Sequence, residues 1–274
     1  MKGTATRAAA NPFAGVRRAF TLIELLVVIA TMGVLVTISL PAIQSMREAS
    51  RRTICLNNLR QVGVALRLHH EYEGHFPAGG VEWRPPGNKQ KRQLAWSAFI
   101  LPYLEQRNVY DALDLSQAFD SEANQTAAAM VVETYLCPTG LHPPRQAGER
   151  APCDYGGIFG ERILGPNQPP KGILVFDREY SDADVRDGLS FTMIVGEDTA
   201  WPDGEWINGR NVFDQAFAIN AAPPFENDLR SGHPGGAQAV FADGSTRFLS
   251  ADLDLRILAG LCTRAGKEII GALP

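Results

Sequence analysis

The four cysteines of this 274-residue chain include no CxxC pair and no zinc-like spacing. That excludes the common finger and thiol-redox motifs. The chain also lacks a serine or cysteine nucleophile motif, an internal repeat and a coiled-coil heptad. It lacks a basic excess as well, with 26 Lys and Arg against 30 Asp and Glu. A dedicated nucleic-acid binder shows a basic patch, so nucleic acid is not an expected partner. No metal site and no catalytic residues are expected from these absences, and the chain reads as non-enzymatic.

One long apolar run is present, within Arg17–Pro41, RRAFTLIELLVVIATMGVLVTISLP. Phe20 to Leu40 spans about 31 Å as a helix, close to a hydrocarbon core of about 30 Å. Its one charge is Glu24. A carboxylate at a helix centre costs about 2.5–3.5 kcal/mol on insertion scales, less near an interface. Cleavage before Phe20 would set a new α-amine one helical turn from Glu24 and offset that cost. A secretory signal has a shorter apolar core followed by a small-residue cut site. Here the run is long, and only Thr37 and Ser39 stand near its end. Removing the four basic residues ahead of Phe20 leaves 22 against 30 acids, a balance near −8.

These residues resemble the class III signal and N-terminal helix of type IV prepilins and type II secretion pseudopilins. The resemblance implies cleavage by a prepilin peptidase between Ala19 and Phe20, with N-methylation of Phe20. It makes Glu24 the assembly glutamate and Pro41 the helix-kinking proline. The family usually has Gly before the cut, where this chain has Ala19. The implied location is the inner membrane, single-pass, with the N-terminus cytoplasmic and the head periplasmic or extracellular. Arg47, Arg51 and Arg52 after the run leave charge bias alone undecided, so the signal fixes the orientation. The implied partners are the membrane, prepilin peptidase and other pilin or pseudopilin subunits of a type II secretion or type IV pilus-like assembly.

Beyond the anchor, Ile43, Met46, Cys55, Leu59, Val62 and Leu66 suit one helical stripe, which Gly74 and Pro77 end. The reading is a leader over 1–19, a transmembrane helix over 20–41, the outer half of the helix over 42–74 and a head over 75–274. Residues 96–113 read as a helix interrupted near Pro102, and 138–171, rich in Pro and Gly, as irregular. Strands are expected over 172–177 and 191–197. Asp243-Gly244 between AQAVFA and STRFLS predicts a two-residue type I′ hairpin. Asp252 is expected to cap a final helix with Leu255, Leu258 and Cys262 on one face and Gly266 at its end. The expected class is α+β: a long pilin-like helix packed on a head with an antiparallel sheet.

The head also resembles the DUF1559 family, in RRTICLNNLRQVGVALRLHHEYEGHFPAGG (51–80), WSAFILPYLEQRNVYDAL (96–113), YLCPTG (135–140) and SGHPGGAQAVFADGSTRFLS (231–250). His233, nine residues, then Asp243-Gly244 matches its His-X9-Asp-Gly signature. The even cysteine count favours disulfides in an oxidising space, with three connectivities open. The resemblance implies Cys55–Cys137, leaving Cys153–Cys262.

The remaining candidates read first as structural. His233 enters a strand through a HisProGlyGly loop, and Asp243-Gly244 is a turn; a polar pair, metal site or catalytic dyad would need a third partner. His69, His70 and His75 read as surface or interface histidines. Asp182, Asp184 and Asp187 form an acidic loop in which calcium is conceivable, but EF-hand spacing is missing. No other cofactor is expected. Trp201, Trp206, Phe213 and Phe217 read as core. Their density also permits an alternative, a membrane-anchored binding module for a glycan or secreted cargo.

Overall fold

The computed structural model describes residues 20–84, 91–140, 142, 146, 148–200 and 204–266. The leader, Ala19 included, and Trp201 lie outside the described residues. The chain divides into two units, Met1–Arg47 and Glu48–Pro274.

Helix α1 (Leu22–Glu73) runs for 52 residues, with its first part in one unit and its outer part in the other. Thr21 is its N-cap, with the Thr21 carbonyl accepting from Leu25 N–H at 3.3 Å. The Thr21 hydroxyl accepts from Glu24 N–H at 3.3 Å, and the Glu24 carboxylate accepts from Thr21 N–H at 2.9 Å. This reciprocal pair is a capping box, which satisfies donors that a helix start leaves open. In the first unit the large apolar side chains from Leu22 to Leu40 are exposed, and Glu24 is the one charge among them. An 18-residue window there has a mean hydropathy of 2.4, so α1 is long and apolar enough to cross a membrane. Pro41 sits inside the helix without ending it; lacking an N–H, it leaves the Thr37 carbonyl without its helical partner. Gly74, at φ +84°, terminates α1 and donates to the His70 carbonyl.

The second unit begins with the outer part of α1. Cys55, Leu59, Val62, Ala65, Leu66 and His69 are buried, a stripe at helical spacing. Ile43 and Met46, expected on the same stripe, precede this unit and are exposed. The unit is α+β. Short strands β1 (Gly80–Val81) and β2 (Leu94–Ala95) pair antiparallel. Helix α2 (Trp96–Phe99), a 3₁₀ turn at Leu101–Leu104 and α3 (Arg107–Asp111) form the expected interrupted helix around Pro102; α4 (Glu122–Ala128) follows. The main sheet comprises β3 (Tyr155–Glu161), β4 (Met193–Glu197), β5 (Val212–Gln215), β6 (Gly236–Phe241) and β7 (Thr246–Ser250), in the order β5-β3-β4-β6-β7. Every pair is antiparallel except β3–β5, which is parallel.

Several local expectations are corrected. Residues 172–177 are not a ladder strand; Gly172 and Leu174 donate instead to the Phe159 and Ile158 carbonyls, beside the bulge in the β3–β5 ladder. Strand β3 lies in the stretch read as irregular, because its glycines disguise it. A Cβ at Gly156 would meet the Phe213 ring at 2.7 Å, and one at Gly157 would meet Leu174 at 2.7 Å, so packing overrides strand propensity. The β6–β7 turn is longer than two residues: Gly244 N–H donates to the Phe241 carbonyl and Phe241 N–H to Ser245. Gly244 has φ +85° while Asp243 stays on the ordinary side, the three-residue loop with a left-handed closing glycine rather than type I′. The final helix, α5 (Leu255–Leu261), is capped by Asp254, whose side chain accepts from Arg256 and Ile257 N–H, not by Asp252.

Candidate functional site

Four buried side chains from four separate elements meet beneath the outer part of α1: Cys55, Cys137, Glu197 and His233. Cys55 lies on the buried stripe of α1. Cys137 follows the 3₁₀ turn Glu133–Tyr135; Asn58, one turn on from Cys55, holds that segment by donating to the Leu136 carbonyl at 2.8 Å. Cys137 N–H donates to Asp154 at 2.6 Å. Glu197 ends β4, its backbone in register with Tyr155 of β3. His233 sits in the loop before β6, where Gly232 lies against Thr139 so closely that a Cβ would be 2.8 Å from it, and Gly235 turns the chain at φ +84°.

Their donor atoms all lie within 4.8 Å of one another. Cys55 Sγ donates to Glu197 Oε1 at 2.5 Å and Cys137 Sγ to the same oxygen at 3.4 Å. His233 Nε2 is 3.4 Å from Cys137 Sγ and 3.8 Å from Glu197 Oε1. All four residues are at most 1% exposed. His233 Nδ1 is 2.6 Å from Glu48 Oε1. A carboxylate only accepts, so Nδ1 donates to Glu48 and Nε2 is the ring atom that faces the cluster. Gln238 N–H donates to Glu197 Oε2 at 2.7 Å. Tyr155 Oη is 3.1 Å from Cys55 Sγ, and Thr139 Oγ1 is 3.0 Å from Cys137 Sγ. Hydrogen bonding with Cys137, then burial and the Glu197 charge, push the Cys55 thiol far up from its ordinary range.

All four cysteines are free thiols in this structure, so none of the expected disulfides is formed in it. Cys55 and Cys137 do come together, as the family resemblance implied, but as thiols sharing Glu197. Cys153 and Cys262 fall in different core clusters; Cys153 donates to the Tyr155 carbonyl at 3.2 Å, and burial pushes its thiol up to about 12.

His233 and Asp243 do not pair. They lie at opposite ends of the six-residue strand β6, about 20 Å of extended chain. Asp243 accepts from Ser245 N–H within its own turn, while Gly244 abuts α1: a Cβ at Gly63 would be 2.7 Å from the Gly244 carbonyl oxygen. The signature thus sets two points on α1, one at Gly63 and one at the cluster. Phe20 is 80% exposed. His69, His70 and His75 go to separate partners, the His75 carbonyl, Asp182 and Glu179. The acidic loop is engaged internally: Asp182 with Arg67, Asp184 with Ser181, Asp187 with Thr263 and Gly266. Trp206 and Phe213 are core, as expected, and Phe217 is partly exposed. A groove of about 350 Å³ lies nearby, lined by Trp83, Phe159, Phe176, Arg210, Val212 and Phe213.

Glu48 and Glu197 were not singled out in the sequence. Glu48 stands 185 residues from its partner His233. Glu197 did carry a signal, a carboxylate closing the apolar run MIVGE, the same anomaly that marks Glu24.

Residues 44–256 match the DUF1559 family, described as proteins of unknown function. No curated protein and no solved structure matches the chain.

Proposed function

The chain belongs to the DUF1559 family, and from that premise we propose that it is a non-enzymatic pilin- or pseudopilin-like subunit of a type II secretion or type IV pilus-like assembly. The observation that carries the reading is the exposed apolar segment of α1 with a single carboxylate at its start. Apolar stems of neighbouring subunits would bury one another within and above the membrane, and Glu24 would meet the α-amine of a neighbour's processed N-terminus. Prepilin peptidase would cut between Ala19 and Phe20 and methylate Phe20, leaving the head outside the cytoplasm.

The capping box supplies a local role for Glu24 that the test must separate from assembly. Glu24→Val removes both the cap and the charge, while Thr21→Ala disrupts the cap and keeps the charge. The reading expects both variants to insert in the membrane and only Glu24→Val to be lost from sheared filament fractions. Equal loss in both variants, or loss in neither, would contradict the assembly role.

The groove at Trp83 supports a second reading, an anchored binding module. Its Trp83 and Phe176 rings stand 4.4 Å apart, with Arg210 over Trp83, a surface suited to stacking on a sugar face. Saturable quenching of tryptophan fluorescence by polysaccharide, lost in Trp83→Ala, would favour it.

A further inference from the structure

We propose that Cys55, Cys137, Glu197 and His233 form a structural zinc site that clamps the outer part of α1 to the sheet. The donor set is two soft thiolates, one imidazole and one carboxylate, which suits Zn²⁺ among the common divalent ions. The ligand atoms are Sγ, Sγ, Oε1 and Nε2, each facing the other three.

The geometry fits. Zinc bonds of about 2.3 Å to sulfur and 2.0–2.2 Å to nitrogen or oxygen give tetrahedral ligand–ligand edges of about 3.3–3.8 Å. The edges from Cys137 Sγ to Glu197 and to His233 are 3.4 Å each, and that from His233 to Glu197, 3.8 Å, must close by about 0.4 Å. The Cys55–Glu197 edge, 2.5 Å, must open by about 1 Å. Both thiols converge on one carboxylate oxygen, Glu197 Oε1, and His233 Nε2 faces Cys137 Sγ beside it. A cation at the common point satisfies all four at once.

The surroundings are those of a ligand set. Glu48 fixes the His233 tautomer from Nδ1, and Gln238 N–H holds the second Glu197 oxygen, the outer hydrogen bonds that orient metal ligands. The hydroxyls of Tyr155 and Thr139 stand where they can donate to the two sulfurs. Four protein ligands, all buried, leave no open position, so the site is structural rather than catalytic. The ligands come from α1, the segment after Tyr135, β4 and the loop before β6, so one ion ties together elements far apart in sequence.

The test uses the full chain, extracted from membranes in mild detergent without chelator and kept anaerobic. Elemental analysis is expected to find zinc equimolar with protein. Cobalt exchange is expected to give the intense visible bands of a tetrahedral ion and a thiolate charge-transfer band. Cys55 and Cys137 should resist alkylation until a chelator is added. Cys137→Ser should lose the ion, and Cys153→Ser should keep it. Because Cys137→Ser can fail to fold, the wild-type cobalt spectrum and alkylation pattern decide by themselves. A Cys55–Cys137 disulfide found by non-reducing peptide mapping would overturn the proposal. So would free thiols at both positions that take up no zinc or cobalt.

Discussion

His233 Nδ1 and Glu48 Oε1 stand 2.6 Å apart, joining the loop before β6 to α1 across 185 residues of sequence. Glu48 is also bound by Arg51 one turn along the helix, so its carboxylate is held in place from both sides. The pair predicts that Glu48→Gln weakens zinc retention by about 10–100-fold, the usual cost of losing a partner behind a metal ligand. Competition with a chromophoric chelator measures it. Unaltered retention would mean that Glu48 does not orient the imidazole.

Gly63 and Gly244 set a second contact between α1 and the sheet. A Cβ at Gly63 would stand 2.7 Å from the Gly244 carbonyl oxygen and 2.9 Å from a Val240 methyl. Gly63→Ala is expected to cost about 1–3 kcal/mol from overpacking, against a helix-propensity gain of about 1 kcal/mol. The net expectation is a lower urea midpoint for the detergent-solubilised chain. A raised midpoint would show that the helix and the turn can part without loss.

Arg67 forms a two-pronged pair with Asp182, at 2.6 and 3.0 Å. The Arg67 hydrogen bond holds the Asp182 carboxyl below its ordinary range, against the opposing effect of burial. A depressed folded-state value contributes stability in full above the ordinary carboxylate pKa and loses it as pH falls through the depressed value. The pair is partly exposed, so Asp182→Asn should cost no more than about 1 kcal/mol at neutral pH. The difference from wild type should close in acid. Urea melts across the acid limb test the sign: a difference that widens on acidification would contradict it.

The start of α5 discriminates between two aspartates. Asp254 caps the helix through Arg256 and Ile257 N–H, so Asp254→Ala should cost about 1 kcal/mol. Asp252 takes no part in the cap, and Asp252→Ala should leave the thermal midpoint nearly unchanged. The reverse order would place the cap at the wrong residue.

The apolar run, Glu24 and Gly74 made the extent of α1 legible, because length and periodicity are local properties. Strands β4, β6 and β7 were legible for the same reason. Strand β3 was not, since Gly156 and Gly157 answer to Phe213, Val212 and Leu174, residues that no local window contains. The cluster was hidden in the same way. Zinc motifs are recognised by short spacings, and positions 55, 137, 197 and 233 have none. His233 could be named from the signature, but its role depends on Glu48 and Glu197, which only the fold brings to it.

The most direct measurement of the proposed function is the mass of the mature N-terminus, taken on protein from the membrane fraction. The account predicts a chain beginning at N-methylated Phe20, which places Glu24 one turn from a free amine and makes subunit assembly its partner reaction. A chain that begins at Met1, or beyond Leu40, would contradict it, leaving an anchored or secreted domain with no filament stem.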